Sequence, residues 1–96
     1  MTVYLIAQIT IADRNEYAKY EAGFSAIFQK YEGKMLSVDE SPSVLEGTWS
    51  ATTSVLISFP SSDSAMNWYR SDEYQEIASH RFAGSSGNAI LVSGLE

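Results

Sequence analysis

Ninety-six residues with 45% hydrophobic and 12% aromatic side chains and two prolines predict one small folded domain over residues 1–96 and exclude a disordered chain. Twelve acids against six basic residues give a net charge of −6, and without a cluster of Lys or Arg neither nucleic acid nor an anionic membrane is expected as a partner. The absence of cysteine excludes disulfides and thiol chemistry and fits a reducing, cytoplasmic setting.

The first segment, MTVYLIAQITIADR, lacks a basic leader, and Gln8 and Thr10 interrupt its apolar run. It reads as a strand over Val3 to Ile11 rather than a signal peptide, and both of its sides begin apolar. Asp13, with Glu16 three residues on, marks a helix start: the Asp oxygen accepts a free backbone N–H and Glu16 can reach back to the cap. Behind it Tyr17, Tyr20, Phe24, Ile27, Phe28 and Tyr31 recur at helical spacing, a stripe suited to packing on a sheet. Gly33 is expected to end that helix as a left-handed cap. Lys34 to Val38 then gives a short strand.

Asp39 to Thr52 holds Ser41, Pro42, Ser43, Gly47 and Ser50 and reads as a long connection. Its Val44, Leu45 and Trp49 are expected to fold over something. Thr53 to Phe59 alternates cleanly, with Val55, Ile57 and Phe59 on one side and Leu56 between Ser54 and Ser58 on the other. Pro60 stops it. Ser61 or Ser62 caps a helix containing Ala65, Met66 and Tyr69, and Ser71 with Asp72 and Glu73 starts another, whose apolar face is Tyr74, Ile77 and Ala78. Gly84 to Gly87 is expected as a loop and Asn88 to Ser93 as the last strand.

The order βαββαβ, with its second helix in two pieces, is the split βαβ, ferredoxin-like α+β pattern. It implies a four-stranded antiparallel sheet with the helices on one face. The other face would carry Leu56, one side of the first strand and alternate residues of the last. Leaving such side chains wet forgoes on the order of 1.5–3 kcal/mol each, so two sheets packed face to face as a homodimer are expected. The alternative is a monomer with the long loop across that face.

YLIAQI, DRNEYAKY, YEGKML, VLEGTW, FPSSDSAMNWYRSDEYQ, Arg81 and the closing LVSG resemble the DUF1330 family over nearly the whole chain. That family belongs to the dimeric α–β barrel superfamily, which includes antibiotic-biosynthesis monooxygenases and haem-degrading enzymes. The resemblance implies a ferredoxin-like fold and a homodimer whose sheets form a barrel, and no particular reaction. Relatives commonly read GGR where this chain has Glu32, Gly33 and Lys34, and often carry Arg at the position of Thr53 and an acid at that of Ser58. A site depending on those third-strand charges would be weakened here.

A single His and no Cys leave no metal motif, and no Gly-rich phosphate loop or dinucleotide fingerprint exists, so neither a metal nor a cofactor is expected. His80 and Arg81 stand near the end of the last helix. They read as a general base and an anion anchor, or as two C-terminal cations favoured by the helix dipole. Glu46, beside Gly47 and Trp49, is the best acid candidate, with a solvated loop charge as the alternative. Trp49, Trp68 and Tyr69 can line an aromatic pocket or serve as core. Two functions compete. One is a binding module or cofactor-free enzyme for a small, flat, apolar molecule held in a helix–sheet cleft. The other is a structural or regulatory dimer without a ligand.

Overall fold

A computed structural model of the chain describes residues 1–95. Its elements run β1 (Val3–Ile11), α1 (Arg14–Phe28), β2 (Lys34–Asp39), β3 (Thr53–Phe59), α2 (Ser62–Tyr69), α3 (Asp72–Gly84) and β4 (Ser85–Ser93). The strands form one antiparallel sheet in the order β2-β3-β1-β4. This is the ferredoxin-like α+β fold that the element order implies.

Local chemistry sets the helix starts. Asp13 accepts from the Glu16 backbone N–H at 3.1 Å, and Ser71 caps α3 through the Tyr74 N–H at 3.2 Å. Ser61 caps α2 in a reciprocal box with Ser64. At α1 the box is only half made. The Glu16 carboxylate does not reach back to its cap but pairs with His80 and Lys19.

Register decides which residues share a face. Val3, Leu5 and Ala7 stand opposite Phe59, Ile57 and Val55 on β3 and Ser93, Leu91 and Ala89 on β4. The helices cover this side, and its central residues Val3, Ala7, Ile9, Ile57 and Phe59 are buried with Tyr17, Tyr20, Phe28 and Trp68. The other side carries Tyr4, Ile6 and Gln8, with Leu56 and Ile90 flanking Ile6. The molecule is only 16 Å thick through its Cα atoms, one sheet and one helix layer, so that second side stays open. Ile6 and Ile90 are 40% and 57% exposed there.

Three expectations are corrected. Gly33 is not a left-handed cap, since α1 ends at Phe28 with Gln29 in right-handed geometry and the one positive-φ residue among those described is Gly47. A Cβ on Gly33 would instead come within 2.5–2.7 Å of the Phe28 and Phe59 rings, so it is glycine for lack of room. In the loop after β2, Val44 and Leu45 do not fold over anything and stand exposed, Leu45 at 92%, whereas Trp49 is half-buried. Finally, β4 begins at Ser85 directly after α3, so no loop separates them. Gly84 is buried there and its carbonyl accepts from the Ala12 and Asp13 N–H groups, pinning the junction to the start of α1.

Candidate functional site

Between the helices and the covered side of the sheet lies a cavity of about 190 Å³, open to solvent at one end. Its floor is apolar: Leu5, Ala7 and Ile9 of β1, Val55 and Ile57 of β3, Ala89 of β4, and Met35 and Val38 of β2. Ala7 and Ala89 are cross-strand partners. Two of the smallest side chains therefore sit side by side in the sheet, and a leucine at either place would fill the space.

The walls are aromatic. Tyr17, Tyr20 and Phe24 come from α1 at helical spacing, and Trp68 and Tyr69 from the end of α2. On α3, Tyr74 and Arg81 are seven residues apart, two turns, which places both on the face that looks into the cavity. Trp68 is wedged at 4.3 Å between ring centroids from Tyr74 and edge-on to Phe24 and Phe28. The Tyr20 and Tyr74 hydroxyls share a buried hydrogen bond of 3.0 Å. The Arg81 guanidinium lies over the Tyr20 ring at 5.8 Å and the Phe82 ring at 4.5 Å.

Burial, and then the neighbouring Tyr74, push the Tyr20 hydroxyl far above its ordinary value, while burial and Glu21 raise that of Tyr17. Both remain protonated donors at neutral pH. Burial works to lower the Arg81 guanidinium, but the Tyr74 and Tyr20 hydroxyls facing it outweigh that and hold it above the ordinary value. The cavity therefore keeps one permanent positive charge.

Of the residues singled out in the sequence, Arg81, Trp68 and Tyr69 meet on this cavity. His80, Glu46 and Trp49 are not on its walls. His80 turns to the outer side of the α1–α3 pair, with its Nδ1 2.6 Å from Glu16. Glu46 stands exposed in the loop after β2, and Trp49 is half-buried near the end of that loop. Tyrosine hydroxyls at the edge of the α1 stripe can face a cleft between helices and sheet, and Tyr20 of that stripe does line it, whereas Tyr74 reads from the sequence only as the apolar face of its helix. The available signal was their hydroxyls, which need a partner when buried. Among the described residues no three His, Asp or Glu side chains converge to hold a metal ion, and no helix is long and apolar enough to cross a membrane.

No curated protein matches the chain. Solved structures share its fold at low identity. RPA0582 of Rhodopseudomonas palustris, a protein of unknown function, is 18% identical with a TM-score of 0.82 over 99% of this chain and 83% of its own. SnoaB of Streptomyces nogalater, a cofactor-independent oxygenase, is 15% identical with a TM-score of 0.68 over 99% and 94%. A Caulobacter crescentus CB15 protein proposed to be an antibiotic biosynthesis monooxygenase is 14% identical with a TM-score of 0.66 over 99% and 91%. The model of one family, described as a domain of unknown function (DUF1330), matches residues 2–95, and the chain belongs to that family.

Proposed function

We propose that this protein is a homodimer whose helix–sheet cleft binds a small, flat, largely apolar molecule. The observation that carries this reading is the cavity itself. Protein interiors are close-packed, yet here two paired alanines keep about 190 Å³ open beneath an aromatic wall. A cavity of roughly 150 Å³ holds a benzene ring, so a one- or two-ring molecule fits, with its edge at the mouth. An apolar pocket with a few convergent polar groups is the usual form of a small-molecule site. Arg81, Trp68, Tyr69, Tyr20 and Tyr74 are the residues this reading assigns to ligand contact. The likeness to SnoaB supports it, because the same architecture there serves an oxygenase that needs no cofactor. Any turnover in this cleft would by that analogy draw on the reactivity of the bound molecule.

The homodimer reading rests on the open face. Ile6, Leu56 and Ile90 form an apolar row across three strands, with Tyr4 and Val92 beside it and Gln8, Asn88 and Ser54 beyond. An apolar centre with a polar rim is the anatomy of an interface.

A two-dimensional NMR titration with one- and two-ring aromatic compounds tests the cleft. Shifts should gather at the Trp68 indole, Tyr69, Arg81 and Ala89, and Ala89→Leu should remove them by filling the floor while the protein stays folded. Shifts scattered over the surface, or unchanged in Ala89→Leu, would leave only the dimer without a ligand.

A further inference from the structure

We infer, building on the cleft reading above, that the ligand is a monoanion, an aromatic or unsaturated carboxylate, whose charged end is held by Arg81, Trp68 and the Tyr20–Tyr74 pair. Two lining residues of the cleft carry buried hydrogen-bond donors that no described acceptor satisfies. The Trp68 side chain is 2% exposed, and its Nε1–H has no partner among the described residues. The Arg81 Nε–H is likewise buried and unpartnered. In the Tyr20–Tyr74 pair one hydroxyl donates to the other, which leaves the second hydroxyl's proton free. Buried donors are nearly always satisfied in folded proteins, and each one left over is costly. Two of the four such atoms among the described residues, Trp68 Nε1 and Arg81 Nε, belong to residues that line the cavity, while Trp49 Nε1 and Thr53 Oγ1 lie away from it. Tyr74 joins the first two: its ring packs against Trp68, its hydroxyl meets Tyr20, and Arg81 lies over the Tyr20 ring.

Charge points the same way. Acids outnumber bases twelve to six, and Arg14, Lys19 and Lys30 each hold a carboxylate at 3.0, 3.2 and 2.9 Å on the surface. Arg81 is more buried than any of these, yet no described carboxylate lies within ion-pair distance of it. A half-buried guanidinium without a counter-ion wants an anion, and its planar fork matches a carboxylate. With Arg81 as the cation on the cleft wall and Glu21 as the carboxylate, the cleft can balance at most a single negative charge on the ligand. A phosphate dianion would leave charge uncompensated, and Glu21 on the cleft wall would repel it.

Three probes of equal shape decide this: 2-naphthoate, the neutral 2-naphthamide and the cationic 2-naphthylmethylammonium, titrated against the wild-type protein by calorimetry and by the Trp68 indole N–H resonance. The naphthoate should bind at least about tenfold tighter than the amide and shift that resonance, as a charge-assisted bond replaces an empty one. Arg81→Gln should abolish the preference while leaving amide binding, Arg81→Lys should keep part of it, and Glu21→Gln should tighten naphthoate alone. Where Arg81→Gln does not fold, the Arg81→Lys and Glu21→Gln titrations decide. Equal binding of naphthoate and naphthamide, or a preference that survives Arg81→Gln, overturns the carboxylate assignment and leaves the cleft reading standing. Failure of all three probes to bind overturns the cleft reading and this inference with it.

Discussion

The two sides of the sheet start from the same strands and end in different chemistry. On the covered side the central apolar residues are sealed by aromatic rings, Trp68 and Phe59 at 2% and 1% exposure, while a cavity stays open beside the Ala7–Ala89 pair and the edge strands leave Met35, Val38 and Leu91 partly exposed. On the open side the row Leu56–Ile6–Ile90 is just as apolar but has nothing above it. At the centre of one side burial is finished within the chain, so a gap there is a place for a ligand. On the other side burial is unfinished, so exposure there is a place for a partner. Apolar surface alone does not say which; what stands over it does.

Changes on the covered side should act mainly on stability. Trp68 touches Phe24, Phe28, Phe59, Tyr69 and Tyr74, and Trp68→Ala should lower unfolding free energy by about 3–5 kcal/mol, read from denaturant midpoints. A loss of well under half that would mean that Trp68 is not the centre of the aromatic packing. Changes on the open side should act on assembly. Leu56→Asp should shift the mass seen by light scattering from twice 10.6 kDa to 10.6 kDa, with the helical circular dichroism unchanged. If the wild type already scatters as 10.6 kDa, or the variant keeps the larger mass, the open face is not the interface.

The smallest effect lies on the outside of the helix layer. The hydrogen bond from His80 and then that from Lys19 hold the Glu16 carboxyl below the usual carboxylate range, and Lys30 and then Tyr31 do so for Glu73. A carboxyl lowered on folding stabilises the fold above its unfolded value and loses that contribution as pH falls through the folded one. Stability should therefore decline on acidification below about pH 4.3, the ordinary value for Glu. The double change Glu16→Gln, Glu73→Gln should flatten that acid limb. Both groups are partly exposed, so the difference should be modest and shrink with added salt. An acid limb identical in the double variant would assign the loss to other carboxyls.

Legibility followed the range of the interaction. β3 runs from Thr53 to Phe59 as its alternation predicts, and Asp13, Ser61 and Ser71 cap the helices they precede, because alternation and capping are settled within a few residues. The glycines misled. Gly33 and the stretch from Gly84 to Gly87 read as cap and loop, but their backbone is not left-handed. They are small because another segment lies close: the Phe28 and Phe59 rings at Gly33, Asp13 O and Tyr17 N at Gly84, and Gln8 O at Gly87. Sequence shows that a side chain is missing and leaves open whether conformation or space required it.

The site divides the same way. Trp68 and Tyr69 stood out by residue type and Arg81 by its charge and the family resemblance, whereas Glu46 and His80 stood out for chemistry that their places in the fold direct elsewhere. Composition, periodicity and caps by themselves determined the element order, the ferredoxin-like α+β class and the apolar character of both sheet faces. Only the tertiary structure decided that Ala7 and Ala89 meet, that Tyr20 and Tyr74 share a hydrogen bond, and that no described carboxylate pairs with Arg81. Those facts join residues up to 82 positions apart, and no local energy records such a meeting until the chain has closed around it.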